Sequence, residues 1–437
     1  MSQWKKVKIG DICKIVKGTT GIASAEPGEY PLVVTAEERK TCSSYQFDCE
    51  AVCIPLVSSS GHGKKSLKNV HYQSGKFALG TILCAVIPNN PEQLDARFLH
   101  QYLQFYKDTI LVPLMKGAAN VSLSMKDIAT VEIPLPPIEN QRELSDLFIT
   151  LQENQKKLAA ETEKQLEYTK LLRQNILQDA IEGKLTVDWR KSHPVIKGNP
   201  DYDAEALFEK IQKGEVSPSL QPATRSSATP SAGDTPATPP FEIPEGWKWV
   251  KLGELCNFGN CQNIEPDFIK PNDWILDLED IEKDTGRIIS IRSFSENNSQ
   301  STKHVFYKGF VLYSKLRPYL NKVVIAPKEG YCTSEILPLD FGSCNNAKFM
   351  QIALMSPYFV NYTTKLSYGM KMPRLGTNDG KKAWIPLPPL KEQEEIVTKV
   401  ENLLAKVTEL ENQIQERKTL SDKLAFGIIK EKLEGEK

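Results

Sequence analysis

The sequence lacks the features that would place it in a membrane or an oxidising compartment. No apolar run in its 437 residues approaches the ~18–20 residues that span a bilayer. No signal-peptide core follows the first residues, Met1 to Lys6. The nine cysteines are odd in number in a long chain, which favours reduced, buried thiols over a disulfide framework. We therefore expect a cytoplasmic protein without a membrane segment.

Catalytic and metal-binding patterns are missing as well. Gly61–Ser66 resembles a phosphate-binding loop, but that pattern needs a glycine where Ser58 stands. The cysteines lack the C-x-x-C spacing of a zinc site, and the five histidines form no paired ligand motif. Neither the Asn-Pro-Pro-aromatic motif of amino-methyltransferases nor a Gly-rich S-adenosylmethionine loop occurs. The acidic run Asp277–Glu282 imitates a nuclease metal site, but such runs usually lie on exposed turns. We expect no catalytic residue, metal or cofactor in this chain.

A net charge of either sign is also lacking, which by itself argues against a nucleic-acid-binding protein. The charges are nevertheless unevenly distributed. Lys and Arg exceed Asp and Glu by three in residues 1–138 and by four in residues 247–390, while the remaining segments are acidic. Two mildly basic bodies joined by acidic segments are compatible with two DNA-contacting modules.

What the sequence does contain is an internal repeat with a very long period. The segment WKKVKIGDIC, residues 4–13, recurs as WKWVKLGELC, residues 247–256. The motif IPLPP precedes Gln141 and, 252 residues later, Gln393. The two halves therefore begin and end alike, whereas the bodies between these motifs differ in sequence and by nine residues in length.

A long amphipathic helix is predicted after each Pro-Pro pair. Apolar residues recur there every seven residues, and a second series follows four residues further on, which is typical of a coiled coil. The two helices share their phase and one polar interruption, at Gln165 and Arg417. In the first helix the predicted first seam position holds Leu144, Leu151, Leu158 and Leu172, and the second position holds Phe148 and Ile176. In the second helix the first position holds Ile396, Leu403, Leu410 and Leu424, and the second position holds Val400, Val407, Ile414 and Ile428. Amphipathic helices that pack only on their own domains are the alternative interpretation.

The two bodies are predicted to be mixed and rich in β-structure. The predicted strands include Tyr30–Val34, Val52–Val57, Thr81–Ile87, Val305–Tyr313 and Lys322–Ala326, and helices are predicted near Ala96–Tyr106 and Asn346–Met355. Between the halves, Ser217–Pro240 is dense in Pro, Ser, Thr and Ala and predicts an unpacked linker. One short helix is expected within Asp201–Lys213.

These observations predict an α+β fold of five segments. They are a first β-rich body (1–138), a first long-helix region (139–190), a flexible linker (191–245), a second β-rich body (246–390) and a second long-helix region (391–437). We expect the two long helices to form an antiparallel coiled coil with pseudo-two-fold symmetry. The linker is long enough for a parallel or an antiparallel pair of helices, so only the symmetry of the repeat favours the antiparallel pair. Helices of ~60 Å would then act as a ruler between the two domains.

The motifs together resemble the specificity (S) subunits of type I restriction-modification systems. Gly246–Leu255 is similar to the start of a target recognition domain in that family, and Phe310–Val323 and Cys332–Leu339 resemble its later segments. Ile181–Arg190 resembles the close of the first conserved helical region. The first body departs from the Ser-Lys-Leu-Arg-Pro pattern, with Gly80–Cys84 at the corresponding place, so the residues that contact bases stay open there.

The resemblance implies a reader of double-stranded DNA without a catalytic centre. Such a subunit recognises an asymmetric bipartite target, one domain for each half-site, and holds two methyltransferase (M) subunits and restriction (R) motor-nuclease subunits. S-adenosylmethionine would belong to the methyltransferase, which flips out and methylates adenine, and ATP and Mg²⁺ would belong to the motor-nuclease. A coiled-coil scaffold whose bodies bind protein rather than DNA is the alternative.

Candidate DNA contacts are cationic side chains for phosphates and polar side chains for base edges. They are Ser60, His62, Lys64, Lys65 and Lys68 in the first domain and Lys315, Arg317, Lys322, Lys371, Arg374, Lys381 and Lys382 in the second. The loop around Gly61 is interpreted equally well as a polar surface loop, and a solvated surface charge is the alternative for every cation.

Overall fold

The chain forms two compact units, and both long helices contribute to each of them. The computed structural model describes residues 4–60, 63–118, 120–213, 238–297, 300–343 and 345–434. Unit 1 comprises Met1–Glu163 and Gln415–Lys437, and unit 2 comprises Lys164–Ile414. Residues 214–237 of the predicted linker lie outside the described residues.

Unit 1 is a mixed body of strands and helices. Its strands are β1 (Lys6–Lys8), β2 (Cys13–Lys17), β3 (Tyr30–Val33), β4 (Lys40–Cys42), β5 (Phe47–Asp48), β6 (Ala51–Pro55), β7 (His71–Gln73), β8 (Lys76–Leu79), β9 (Leu83–Pro88) and β10 (Glu132–Pro134). Its helices are α1 (Ile9–Ile12), α2 (Ala96–Ile110), α3 (Met125–Ala129) and the first part of α4 (Ile138–Ile181). One antiparallel sheet has the order β2-β9-β6-β7 and a second has the order β4-β3-β8-β5, with β3 and β8 parallel.

Unit 2 repeats this plan after the end of α4. Its further helices are α5 (Val187–Ser192), α6 (Ala204–Gln212), α7 (Leu252–Leu255), α8 (Phe294–Asn297), α9 (Ala347–Met355), α10 (Pro357–Lys365), α11 (Thr377–Lys381) and the first part of α12 (Leu390–Glu434). Its strands are β11 (Lys248–Lys251), β12 (Asn263–Ile264), β13 (Trp274–Leu276), β14 (Arg292–Ser293), β15 (Lys303–Phe306), β16 (Val311–Ser314), β17 (Val323–Ile325), β18 (Gly330–Thr333), β19 (Ile336–Leu339) and β20 (Trp384–Leu387). The sheets have the orders β12-β15-β18-β13-β14 and β17-β16-β19.

The repeated sequence motifs pair with each other inside each unit. In unit 1, β1 lies antiparallel to β10 with Val7 opposite Ile133. In unit 2, β11 lies antiparallel to β20 with Val250 opposite Ile385. The first and last motifs of each half thus form a two-stranded ribbon that closes the body and leads directly into a long helix.

Gln141 and Gln393 explain why a glutamine follows each IPLPP motif. In unit 1 the Gln141 side chain accepts a hydrogen bond from the backbone N–H of Asp95 (2.9 Å) and donates to the carbonyl of Pro136 (2.8 Å). Asp95 is the N-cap residue of α2. In unit 2 the Gln393 side chain accepts from the N–H of the α9 N-cap residue, Asn346 (2.9 Å), and donates to a proline carbonyl (3.0 Å). Each buried amide therefore fixes the start of a long helix to the start of a helix in the body.

The long helices pair antiparallel in unit 2. The Arg173 guanidinium on α4 donates to the Glu411 carboxylate on α12 (Nη2–Oε2 2.8 Å) and to Thr408 Oγ1 (2.6 Å). Further along the chain from Arg173, the carbonyl of Leu185 accepts from Lys399 Nζ (3.0 Å). Residue numbers rise on one side of the pair while they fall on the other, which defines the antiparallel direction.

The same direction holds in unit 1. There the last part of α12 packs against the first part of α4, with Ile429 and Leu433 in one core with Leu144 and Phe148. The Phe426 ring also stacks on a ring of α2, with 4.8 Å between centroids. The predicted fold class, α+β with two β-rich bodies and two long antiparallel helices, is confirmed within each unit.

The buried seam differs from the predicted one. Leu144 and Ile396 are buried and Leu151, Leu158 and Leu403 are half-buried, but Leu172, Leu410 and Leu424 are 44%, 44% and 66% exposed and do not form a buried seam. Most second-position residues are buried: Phe148, Thr162, Thr169 and Ile176 on α4, and Val400, Val407 and Ile414 on α12. Ile428, also predicted at this position, is half-buried, and its neighbour Ile429 is buried instead. A straight α-helix rotates by ~20° per heptad relative to a strict seven-residue repeat, so the first position turns outward along the helix.

Two further segments differ from the sequence prediction. The predicted strand Val305–Tyr313 is two strands, because Gly309 adopts a φ of 90° in the turn between β15 and β16. The predicted linker also starts later than residue 191. The α6 helix packs Ala204, Leu207 and Ile211 into the core of unit 2, since its apolar side chains lie at helical spacing on one face.

Candidate nucleic-acid interface

A hairpin and a turn of unit 2 are held together by backbone hydrogen bonds. We call residues 368–374 the second hairpin and residues 315–321 the second turn. Tyr368 and Arg374 close the hairpin with N–O distances of 3.0 and 2.8 Å. The N–H of Arg317 donates to the carbonyl of Pro373 (2.7 Å), and the N–H of Leu375 donates to the carbonyl of Lys315 (2.9 Å). The two segments therefore form one surface.

The second turn has an unusual backbone. Arg317 and Asn321 adopt φ values of 51° and 49°, the left-handed region that side chains other than glycine seldom enter. The Asn321 amide donates to the carbonyl of Met355 (3.1 Å), and Pro318 is buried, so surrounding contacts hold this shape. Such a conformation costs about 1–3 kcal/mol per residue and is concentrated at functional sites.

Unit 1 has the same hydrogen-bond arrangement between a hairpin and the segment around Ser58, although Ser58, unlike Arg317, is not in the left-handed region. We call residues 116–118 and 120–122 the first hairpin, since Ala119 lies outside the described residues; Lys116 and Ser122 close it with two N–O distances of 2.8 Å. The N–H of Ser58 donates to the carbonyl of Val121 (3.0 Å), as Arg317 does to Pro373. The N–H of Leu123 donates to a carbonyl two residues before Ser58 (2.9 Å), which matches the bond from Leu375 in unit 2.

The loop that follows Ser58 lies against the first hairpin. Ser58 Oγ donates to the carbonyl of Lys64 (2.6 Å), and the hydroxyls of Ser60 and Ser66 are 2.7 Å apart. Gly63 has a φ of 74°, and a Cβ there would lie 2.2 Å from the carbonyl oxygen of Ala118. Only glycine allows this close approach of loop and hairpin.

The side chains on these matched backbones differ. Ser58 in unit 1 corresponds to Arg317 in unit 2, Lys116 to Tyr368, Ala118 to Met370, Asn120 to Met372 and Ser122 to Arg374. One surface carries small and polar groups, while the other carries guanidinium, aromatic and thioether groups. A shared backbone with different side chains can present different donors, acceptors and apolar groups to two targets in one geometry.

The structure brings most of the predicted contact residues to these two surfaces. In unit 1, Ser60, Lys64, Lys65 and Lys68 are exposed on the loop beside the first hairpin, and His62 lies outside the described residues. In unit 2, Lys315 and Arg317 lie in the second turn, and Lys371 and Arg374 lie in the second hairpin. Arg374 is already paired with Glu335 (Nε–Oε1 3.0 Å).

The other three predicted contact residues have different surroundings. The Lys322 ammonium donates to the carbonyl of Leu278, and burial lowers the pKa of this half-buried amine. Lys381 belongs to α11 and packs against Gly253, where a Cβ would lie 3.0 Å from its own. Lys382 is the exposed residue after it. These positions are therefore not grouped with the second hairpin.

Sequence reasoning missed the first hairpin and the apolar part of the second. Positive charge points to Lys371 and Arg374 and passes over Tyr368 and Met370. The offset of 252 residues that relates the long helices also relates the two hairpins. Applied to the segment Lys371–Arg374, that offset points to residues 119–122.

The acidic run includes a buried ion pair, and two of the cysteine thiols are shielded from solvent. Asp280 is buried rather than exposed, and it accepts hydrogen bonds from Arg292 (Nε–Oδ1 2.8 Å) and Ser290 (2.7 Å). Burial raises the pKa of the Cys84 thiol to about 12 and that of Cys261 to about 11, so both stay protonated at neutral pH. Among the described residues, no three His, Cys, Asp or Glu side chains are grouped to bind a metal ion, and no helix is long and apolar enough to cross a bilayer.

The fold is thus a duplicated β-rich body, and each copy leads through a two-stranded ribbon into a long helix. The chain matches the family described as type I restriction modification DNA specificity domain over residues 1–168 and 244–417. Since the match covers most of the chain, this protein belongs to that family.

Individual relatives agree with this assignment. The type I restriction enzyme EcoDI specificity subunit of Escherichia coli is 26% identical over 434 residues, which cover 99% of this chain and 88% of that protein. The EcoBI specificity subunit of Escherichia coli is 32% identical over 130 residues, 29% of this chain and 27% of the relative. This chain is also similar in structure to a chain of a solved structure that concerns complex assembly and conformational transition of the type I R-M system. The two chains align with a TM-score of 0.65 at 17% identity. That alignment covers 99% of this chain and 98% of the other, and it shows the same fold.

Proposed function

We propose that this chain is the DNA-reading subunit of a type I restriction-modification complex and that it recognises an asymmetric bipartite target. Each hairpin, with its neighbouring turn or loop, would read one half-site. The observation that carries the proposal is the shared backbone of the two hairpins with their unlike side chains. Equal geometry gives each half-site the same mode of docking, while unlike side chains select different bases.

Cationic side chains near the hairpins supply the nonspecific part of binding. Lys64, Lys65 and Lys68 are exposed beside the first hairpin, and Lys371 is exposed in the second. Lys and Arg at such positions neutralise phosphates and release counterions, which positions the protein without selecting sequence. Because the chain as a whole is neutral, we expect weak DNA binding by the isolated chain and strong binding only in the assembled complex.

Catalysis would belong to the partners. Two methyltransferase subunits would bring S-adenosylmethionine and methylate adenine, and restriction subunits would bring ATP and Mg²⁺ for translocation and cleavage. This chain would hold them on the target. Incubating the purified chain with S-adenosylmethionine and DNA should transfer no methyl groups, and adding the methyltransferase subunit should restore transfer. Methylation by the chain alone would contradict a non-catalytic role.

Genome-wide mapping of methylated adenines tests the bipartite target. Cells that express this chain with its methyltransferase should carry methylation at two unlike short sequences separated by a fixed gap. Replacing residues 116–122 by the sequence of residues 368–374 should change one half-site only, and the reverse exchange should change the other. A palindromic or continuous motif, or an exchange without effect on either half-site, would count against the proposal.

A further inference from the structure

The second hairpin carries an apolar side chain with no contact to shield it from solvent. Met370 is 103% exposed, and Tyr368, Met372 and the neighbouring Tyr319 are also exposed large apolar residues. A single exposed methionine is ordinary on a protein surface, but several exposed large apolar side chains on one small surface indicate binding.

The methionine is presented by a fixed backbone. Hydrogen bonds close the hairpin at Tyr368 and Arg374, and the second turn holds its other side through Arg317 and Pro373. Gly369 adopts a φ of 100°, so the chain reverses immediately before Met370. The backbone position of Met370 is therefore set, while its unbranched side chain with three rotatable bonds can adapt to a surface.

The charges around Met370 favour DNA as the occupant. Lys371 is exposed next to it, and Arg317 lies in the adjoining turn with its guanidinium directed to the Lys371 carbonyl (Nη2–O 3.4 Å). The carboxylate of Glu335 is paired with Arg374. An apolar tip with cationic neighbours is complementary to a groove whose walls are phosphates and whose floor offers apolar groups. In the major groove that apolar group is the C5 methyl of thymine.

We propose that Met370 is a specificity-determining residue that contacts the methyl group of a thymine in the half-site read by unit 2. This inference rests on the proposed function. The matching residue of unit 1, Ala118, is exposed but too short to reach as far. The thymine contact would therefore occur in one half-site and not at the equivalent position of the other.

The test uses the assembled methyltransferase complex with M370A, with M370L as the variant that keeps an apolar side chain. The hairpin exchange described above assigns the half-site of unit 2. In cells, M370A should relax one base pair of that half-site and leave the other half-site unchanged, while M370L should keep the full motif. Because Met370 is fully exposed, the unfolding temperature of M370A should equal that of the wild type.

Binding to modified duplexes measures the methyl contact directly. Each thymine of the half-site is replaced in turn by deoxyuridine, which lacks only the C5 methyl. Wild-type affinity should fall about fourfold at one thymine, as expected for one buried methyl group. M370A should bind the thymine and deoxyuridine duplexes equally at that position.

The outcomes separate this inference from the proposed function. If the wild-type complex produces no bipartite motif, the proposed function fails. If the motif is bipartite but M370A leaves both the motif and the deoxyuridine profile unchanged, the role of Met370 is overturned and the proposed function stands. Relaxation at a base pair without thymine, or equal deoxyuridine losses for wild type and M370A, would overturn the methyl contact.

Discussion

Arg190 and Glu392 form an ion pair across the start of α12, with 2.5 Å between Nη1 and Oε1. The Glu392 carboxylate is only 2% exposed, and it also accepts hydrogen bonds from Thr186 Oγ1 and Trp247 Nε1, both at 2.7 Å. One carboxylate thus joins the segment after α4, the first motif of the second half and the second long helix.

Removing this carboxylate should destabilise unit 2 strongly. E392A removes the carboxylate that accepts hydrogen bonds from Arg190, Thr186 and Trp247, and breaking such a buried pair typically costs about 3–5 kcal/mol. E401A on the same helix is the matched control, since its partner Lys348 and Glu401 itself are both more than half exposed. That pair should be worth less than ~1 kcal/mol. Urea unfolding of the purified chain compares the two variants, and similar losses would refute the assigned role of Glu392.

Substitutions at Val407 and Leu410 test which heptad position of α12 is buried between the long helices. Val407 is 3% exposed and Leu410 is 44% exposed. V407K places an unpaired charge in the interface and should cost more than ~3 kcal/mol, with loss of methylation in cells. L410K should change stability by less than ~1 kcal/mol and leave methylation intact. If L410K were as damaging as V407K, Leu410 would belong to the buried seam, as the heptad pattern of the sequence predicts.

Lys371 should contribute to affinity through its charge. As a phosphate contact it releases about one counterion, so K371A should make the dependence of log Kd on log salt shallower by ~1. Binding should weaken by a similar factor for correct and mismatched second half-sites. K371R keeps the charge and should keep the slope. A change in sequence preference with an unchanged salt slope would assign Lys371 to base reading.

The gap between the half-sites tests whether the paired helices set a distance. Seven residues added to both helices preserve the heptad phase and lengthen each by ~10 Å. The gap should grow by about three base pairs at ~3.4 Å each, with both half-sites unchanged. Adding seven residues to one helix only is the control and should abolish methylation. If the gap between the half-sites kept its length after the insertion, the helices would not set the distance between the half-sites.

The long-period repeat made the fold predictable from sequence. The motifs that form the ribbons, the phase of the helices and the glutamines at 141 and 393 all lie in segments where the two halves keep the same residues. Antiparallel pairing followed from symmetry, and the contact of Arg173 with Glu411 agrees with it. The exposure of Leu424 could not be predicted, because a heptad pattern does not include the slow rotation of a straight helix.

The candidate interface was only partly predictable, because charge was the selection criterion. Charge identifies Lys371 but does not distinguish it from Lys322, whose ammonium bonds a backbone carbonyl inside the domain. Met370 carries no charge and follows no periodic pattern. Its position depends on the backbone hydrogen bonds that close the hairpin, and the sequence does not show these bonds.

Unit 1 is built from two distant segments of the chain, so its two parts are synthesised at different times. Ile429 and Leu433 complete the core around Phe148, yet the ribosome adds them after all of unit 2. At about 5–20 residues per second, the amino-terminal body waits roughly 10–50 s for these side chains, while the contiguous unit 2 is finished earlier. The domain that is translated first is therefore the one whose core is completed last.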